Sequence, residues 1–152
     1  MAKKKLQIDF INKSNNPNPE FKEGNSGFDI RANLTDFIKL KPLERKLIPT
    51  GLYFNIPENM EIQVRPRSGL AINEGITVLN TPGTVDENYT GEIQIILINL
   101  GHKSFIINNS DRIAQGVFAA VNSSKLVNLN QVTEINKETK RGTSGFGASG
   151  IK

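Results

Sequence analysis

The tightest constraint on the fold is a two-residue period that never lasts long. Leu6, Ile8 and Phe10 alternate with Lys5, Gln7 and Asp9; Leu52, Phe54 and Ile56 alternate with Tyr53 and Asn55; Met60, Ile62 and Val64 alternate with Glu61, Gln63 and Arg65. Successive side chains of an extended chain point to opposite faces, so each run predicts a strand with one buried face. EIQIILIN, residues 92–99, is nearly continuous in apolar residues and predicts a strand covered on both faces. ITVL, SFIIN and RIAQGVFAAV predict three more. Breaks at NNPNPE, KPLE, IPTG, IPEN, NTPG and INNSD keep every strand short, and only GLAINEG, residues 69–75, leaves room for a helical turn. The pattern is that of an all-β chain: a sandwich, a jelly roll or a distorted β-barrel.

A chain of 152 residues suits one domain, read as 1–152, and can bury a core without metal or disulfide staples. The absence of cysteine excludes thiol catalysis and cysteine-bound zinc. The one histidine, His102, lies in LGHKS, a predicted exposed turn, so histidine triads and multi-histidine metal sites cannot form within one chain. MAKKKLQIDF has no apolar stretch long enough for a signal peptide or a membrane span, and a cytoplasmic protein is expected. The formal charge of +4 is concentrated partly in Lys3, Lys4 and Lys5, so it argues little for a polyanionic partner. An aromatic content of 7% and the lack of a basic stripe disfavour a nucleic-acid binder.

Polar residues that break the alternation mark the candidate chemistry. In RPRSGLA, Pro66 ends a strand and Arg67, the Ser68 hydroxyl and Gly69 follow; an arginine, a hydroxyl and open backbone amides match phosphate oxygens, although for this segment alone a strand end with a surface turn is the slightly better account. LNTPGTVDENYTGE, residues 79–92, forms the arm of a hairpin with a polar tip. Asp86 and Glu87 are adjacent, so they point apart and share neither a proton nor a metal; one can act alone as a base toward water, and the other is expected to be solvated. Tyr89 either pins this loop or stacks on a ligand. In SGFDIRA, Asp29 faces away from Phe28 and Ile30. RIAQG places Gln115 beside Ile113 on the inner face, where it needs a partner. RGTSGFGASG, residues 141–150, matches the G-x-G-x-x-G spacing at Gly145, Gly147 and Gly150 without a strand before it and a helix after it, and it has Ile151 where a phosphate-cradling loop requires lysine.

Together, SGFDIRA, RPRSGLA, NTPGTVDENYTGE, RIAQG and RGTSGFGASG resemble, in order and approximate spacing, the five motifs of the homotrimeric dUTP pyrophosphatase (dUTPase) family, over residues 26–150. The resemblance implies a distorted jelly-roll-like β-barrel with a C-terminal arm that crosses to a neighbouring subunit, and hydrolysis of dUTP to dUMP and pyrophosphate. That reaction would lower dUTP and supply dUMP for thymidylate synthesis. It implies Mg2+ held mainly by the triphosphate, dUTP as the small-molecule substrate, and a homotrimer with shared active sites. By carry-over, Asp86 would orient and deprotonate the water that attacks the α-phosphorus, Gln115 would hold that water or an α-phosphate oxygen, and Asp29 would reach the Mg2+ hydration shell through water. Arg67, Ser68 and Gly69 would bind phosphates; Asn80, with Thr84, Val85 and Gln94, would read the uracil edge; Tyr89 would lie under the deoxyribose and exclude a 2′-hydroxyl. Arg141 would offer its planar fork to the γ-phosphate, Phe146 would stack on the base, and Gly147 and Ser149 would close around the phosphates in a flexible lid spanning 141–152.

The chain departs from the family pattern at Asn88, where a second aspartate is common, and at Ser144, Ala148 and Ser149 in the last motif; the missing hydroxyl at Ala148 would weaken γ-phosphate binding. The alternatives are a dCTP deaminase or bifunctional deaminase and dUTPase of the same fold, or a non-catalytic jelly-roll module. A deaminase would carry a catalytic glutamate where this chain has Ile96, and an aliphatic side chain moves no proton.

Overall fold

The structure is a computed structural model that describes residues 5–147. Its strands are β1 (Phe10–Asn12), β2 (Phe28–Arg31), β3 (Ile38–Leu40), β4 (Arg45–Pro49), β5 (Leu52–Phe54), β6 (Met60–Arg65), β7 (Ile76–Val78), β8 (Gly83–Val85), β9 (Gln94–Asn99), β10 (Phe105–Ile107) and β11 (Arg112–Ala120), with one helix, α1 (Ser68–Glu74), between β6 and β7. All pairings are antiparallel. Four sheets result, ordered β2-β11-β6-β8, β4-β9-β7, β1-β5 and β10-β3. The all-β, jelly-roll-like architecture is present, but among the described residues the ladders stay divided into these four sheets and close no barrel.

The period-two runs account for the core. Leu52, Phe54 and Ile56 are buried, as are Ile62 and Val64, while the residues between them reach the surface. Ile30, Leu40, Ile48, Ile95 and Leu97, contributed by different sheets, meet in one cluster with no accessible surface. At one end the cluster becomes aromatic, with the Phe28, Phe54 and Phe118 rings 5.6–5.8 Å apart. The two buried polar side chains among the described residues are satisfied: Thr50 donates to the Ile93 carbonyl, and Asn99 donates to the Leu40 and Lys103 carbonyls while accepting from the Gly101 amide.

Three strand expectations are corrected. In the Leu6–Phe10 run Leu6, Ile8 and Phe10 share a face, but that face lines an open apolar groove with Phe21 and Phe118: Leu6 is 63% exposed, only Ile8 is partly buried against the core, and the β1–β5 ladder begins at Phe10. β9 is covered fully on one face only; Ile95, Leu97 and Asn99 are buried, whereas Gln94 is exposed and Ile96 and Ile98 are half-buried. In β11 the register shifts between Arg112 and Ala114, so Ile113 and Ala114 are both buried. This bulge reverses the expected faces. Gln115 lies directly opposite Asp29, and opposed residues share a face, so Gln115 points away from the core. Gly116 points inward instead, where a Cβ would meet the Phe28 ring at 2.5 Å.

The predicted hairpin of residues 79–92 is present with an unexpected arm. β7 and β9 pair at its base, Val78 opposite Leu97, and the segment between them contributes β8 to the other large sheet, where Val85 lies opposite Ile62. α1 begins at Ser68 and ends at Gly75, whose left-handed φ of 69° is the usual helix stop. None of its residues is buried.

Candidate active site

The polar segments gather at two places on the four-stranded sheet. The first is built from the β2, β6 and β11 ends. Direct opposition of Asp29 and Gln115 brings two side chains from distant segments onto one face, and Pro66 ends β6 so that Arg67 turns back toward them. Arg67 Nε lies 3.1 Å from Asp29 Oδ1 and Arg112 Nη1 lies 3.4 Å from Oδ2, while Arg67 Nη1 donates to the Arg112 carbonyl at 3.1 Å. Gln115 Nε2 donates to the Pro66 carbonyl at 3.0 Å, which leaves its Oε1 uncommitted by that bond. Asp29, Arg31, Arg112 and Gln115 border a cleft of about 460 Å³ whose far wall is the 17–25 loop. Two guanidiniums to one carboxylate make this an anion-seeking surface. Ser68 and Gly69 are exposed at the start of α1, and a Cβ on Gly69 would meet nothing within 4 Å, so the backbone there is open to a ligand.

The second place is a cleft of about 290 Å³ bordered by Thr84, Val85, Asp86, Tyr89, Glu92 and Gln94, with Leu47, Ile93 and Ile96 as its apolar wall. The β8–β6 ladder fixes its entrance, and Tyr89 is held by its hydroxyl, which donates to the Glu92 carbonyl at 2.9 Å. The ring lies on Gly91 so closely that a Cβ there would be 2.6 Å from the phenolic oxygen. Glu92 turns the other way and accepts from the Thr50 and Gly51 amides at 3.1 and 2.8 Å. Asn80 is exposed beside Gly83, just before this cleft.

Asp86 and Glu87 part at a turn closed by the Tyr89 amide on the Asp86 carbonyl: Asp86 borders the cleft, and Glu87 is not solvated. Its carboxylate accepts from the Asn59 amide and lies 2.6 Å from Lys125 Nζ, which also contacts Glu58 at 3.0 Å. The Lys125 hydrogen bond, with help from the Asn59 amide, holds the Glu87 carboxyl below the ordinary glutamate range; Glu87 and then Glu58 raise the Lys125 ammonium above the ordinary lysine value.

The two places do not merge. Val85 lies opposite Ile62 and Gln115 opposite Arg65. Three residues along β6 span roughly 10 Å and β8 and β11 flank β6 about 10 Å apart, so the Val85 and Gln115 backbones are roughly 14 Å apart and Asp86 is one residue further. The outer face between them is filled by Glu61, Gln63 and Arg65, hydrogen-bonded in a row. Among the described residues Arg141, Phe146 and Gly147 join neither place: the hydrogen bonds of residues 128–147 are local, such as Arg141 Nε to the Ser144 carbonyl at 2.9 Å, and Phe146 is wholly exposed. Ser149, with Ala148, lies outside the described residues.

Sequence reasoning missed Arg112 as a partner of Asp29, the 17–25 loop as a wall, and Glu92 as the anchor of the second cleft. Arg112 stood three residues before Gln115 in RIAQG, which was signal enough to test it. Among the described residues no three His, Cys, Asp or Glu side chains converge to hold a metal ion. Each Asp29 oxygen takes one guanidinium and keeps acceptor capacity toward the cleft; such a donor fits a hydrated ion carried by phosphates and reached through water. No helix among the described residues is long and apolar enough to cross a membrane.

Comparison with known proteins follows the same segments. The dUTPase family profile matches residues 13–150. The chain is 48% identical over 148 residues to the deoxyuridine 5′-triphosphate nucleotidohydrolase of Fusobacterium nucleatum, covering 97% of this chain and 99% of that one. It is 50% identical over 134 residues to that of Treponema denticola, covering 88% and 90%. Among solved structures, the Staphylococcus bacteriophage 80alpha dUTPase with dUPNHPP superimposes with a TM-score of 0.82 at 25% identity, over 97% of this chain and 100% of that chain. A dUTPase from phage phi11 of S. aureus, described with a structural Mg(II) ion, has the same fold at a TM-score of 0.77 and 21% identity, over 87% of this chain and 100% of that chain.

Proposed function

The chain belongs to the dUTPase family and hydrolyses dUTP to dUMP and pyrophosphate, and we propose that it does so at a site assembled from more than one copy of itself. The observation that carries this reading is the gathering of Thr84, Val85, Asp86, Tyr89 and Gln94 around one cleft. A pyrimidine nucleoside fits there: the Leu47 and Ile96 wall takes the base, Asn80 and the backbone at Thr84 and Val85 with Gln94 read its polar edge, and Tyr89 lies against the sugar. Fixed donors and acceptors reject cytosine because a mismatched buried polar group costs about 1–3 kcal/mol. Ile96 sits in this wall, so a proton-shuttling glutamate is replaced there by a side chain with no proton to give.

Asp86 is the general base toward the attacking water, and Gln115 of a neighbouring subunit orients that water or an α-phosphate oxygen. Arg67, Ser68 and Gly69 of the neighbour bind the phosphate chain, and the segment carrying Arg141, Phe146, Gly147 and Ser149 closes over it from a third copy, a homotrimer being the smallest ring that supplies all three parts. Separation of Asp86 from Gln115 and the local bonding of residues 128–147 support this arrangement. Mg2+ bound to the triphosphate would supply charge neutralisation, with Asp29 meeting its water shell.

A pyrophosphate-release assay with dUTP, dCTP, dTTP and UTP tests the reading. Turnover of dUTP alone, reduced at least 10²-fold in Asp86→Asn, is expected from loss of a general base. An unaffected variant would remove Asp86 from its role.

A further inference from the structure

Glu87, Lys125, Asn59 and Ser123 form a junction that the reaction scheme leaves unused. Glu87 is adjacent to Asp86, and its carboxylate binds the Asn59 amide and Lys125 Nζ. Asn59 sits in the turn before β6 with a left-handed φ of 58°; its carbonyl accepts from the Val121 amide at 2.9 Å and its side-chain oxygen from Ser123 Oγ at 2.8 Å. Three segments are thereby fastened together: the loop that bears Asp86, the turn at 58–59, and the stretch just after β11 from which residues 128–147 depart. The Glu87 side chain is only 17% exposed, against 64% for Glu58 on the outer side of Lys125.

Among the described residues no hydrogen bond holds the Asp86 carboxylate, so its aim comes from the backbone on either side. Val85, before it, is fixed by the ladder to Ile62. Glu87, after it, is fixed by Asn59 and Lys125. The Asp86 carbonyl accepts from the Tyr89 amide at 3.1 Å, so Glu87 lies inside a turn that starts at Asp86; holding Glu87 on Lys125 and Asn59 fixes that turn, and with it the placement of Asp86 at the border of the cleft that holds Tyr89. We propose that Glu87 and Lys125 are positioning residues for Asp86, and that their ion pair sets the direction in which that carboxylate meets the attacking water. The inference rests on the reading of Asp86 as the base. The pair touches neither nucleotide cleft, since neither Glu87 nor Lys125 borders one.

The test compares Lys125→Met, Glu87→Gln, their double variant, Lys125→Arg, Glu58→Gln and Asp86→Asn in full-length protein, measuring kcat and KM for dUTP and the Kd of the non-hydrolysable analogue dUpNHpp. Misaiming a reacting group by about 1 Å costs up to 10²-fold in rate. A roughly 10-fold fall in kcat is expected for Lys125→Met and Glu87→Gln, with KM and analogue affinity within about 2-fold of wild type. The double variant should be no slower than the slower single, Lys125→Arg should recover most of the rate, and Glu58→Gln should be unchanged. Glu87→Gln keeps an acceptor for the Asn59 amide, so it isolates the charge even if Lys125→Met folds poorly. Wild-type kcat in Glu87→Gln with an inactive Asp86→Asn would overturn the inference and leave the base in place; an active Asp86→Asn would overturn the base itself. Equal losses in kcat and analogue binding would mark the pair as a fold contact and overturn the positioning role.

Discussion

Mixing two inactive variants tests the shared site most directly. Asp86→Asn breaks the proposed base, and Gln115→Leu removes the amide proposed to face it across a subunit boundary while leaving the sheet in place, since Gln115 points off the core. On one chain these residues sit on opposite flanks of β6 with backbones roughly 14 Å apart, a separation that favours the proposed site shared between chains. If the two variants are unfolded together in equal amounts and refolded, each site draws Asp86 from one chain and Gln115 from the next. Random assortment around a ring makes both residues wild type in about a quarter of the sites. Activity should therefore rise from the parents' background to about a quarter of wild type, read as pyrophosphate release per chain. A companion mixture of wild type with the Asp86→Asn/Gln115→Leu double variant should also give about a quarter, whereas sites complete within a chain would give about a half. Recovery that stays at the parental background, together with half activity in the companion mixture, would refute the reasoning.

Three further outcomes follow from the described contacts. Gly91→Ala places a methyl group where the Tyr89 hydroxyl now lies, at 2.6 Å, so the ring must swing toward solvent and give up its bond to the Glu92 carbonyl; a loss of about 10-fold in kcat/KM for dUTP with a stability change of about 1 kcal/mol is expected, and unchanged kinetics would detach Tyr89 from the cleft's function. Gly116→Ala drives its methyl into the buried Phe28 ring and should destabilise by about 1–3 kcal/mol, read as a lowered thermal midpoint, because the ring can yield only by giving up its packing on Phe54 and Phe118. The Glu87–Lys125 contribution to stability has a defined pH window. The Glu87 pKa is depressed, so its part is complete above the ordinary glutamate value of about 4.3 and is lost as pH falls through the lowered value; the Lys125 pKa is raised, so its part is complete below about 10.4 and is lost as pH rises through the raised value. The difference in midpoint between wild type and Glu87→Gln should be flat from about pH 6 to 9 and vanish in strong acid; a slope across neutral pH would contradict the pairing.

Much of the framework was legible because it depends on local alternation. Leu52, Phe54, Ile56, Ile62 and Val64 are buried where a period of two places them. β8 escaped notice because Gly83–Val85 lies in a Pro, Asn and Gly-rich stretch and is extended only through its ladder to β6. β4 was equally silent: Ile48 is its one buried residue, and Leu47 beside it is 56% exposed. The face of Gln115 was misread because one extra residue in β11 inverts everything after it, and a bulge leaves no mark in the alternation of so short a run. The site residues were legible as motifs, yet motifs carry no partners. Arg112 reaches Asp29 from 83 positions away, and Glu87, expected in solvent, is claimed by a lysine from another part of the chain. Those pairings depend on the tertiary fold alone.

The placement of β6 between Asp86 and Gln115 has a consequence for a newly made copy of the chain. On the proposed arrangement, a copy alone carries a nucleoside cleft and a phosphate cradle that one nucleotide would not fill at once, so folding by itself would give it no power to cleave. Competence is then a property of encounter. Specific activity should fall on dilution below the dissociation point of the assembly while the fold persists, and the cleavage capacity of a scarce protein should grow faster than its copy number.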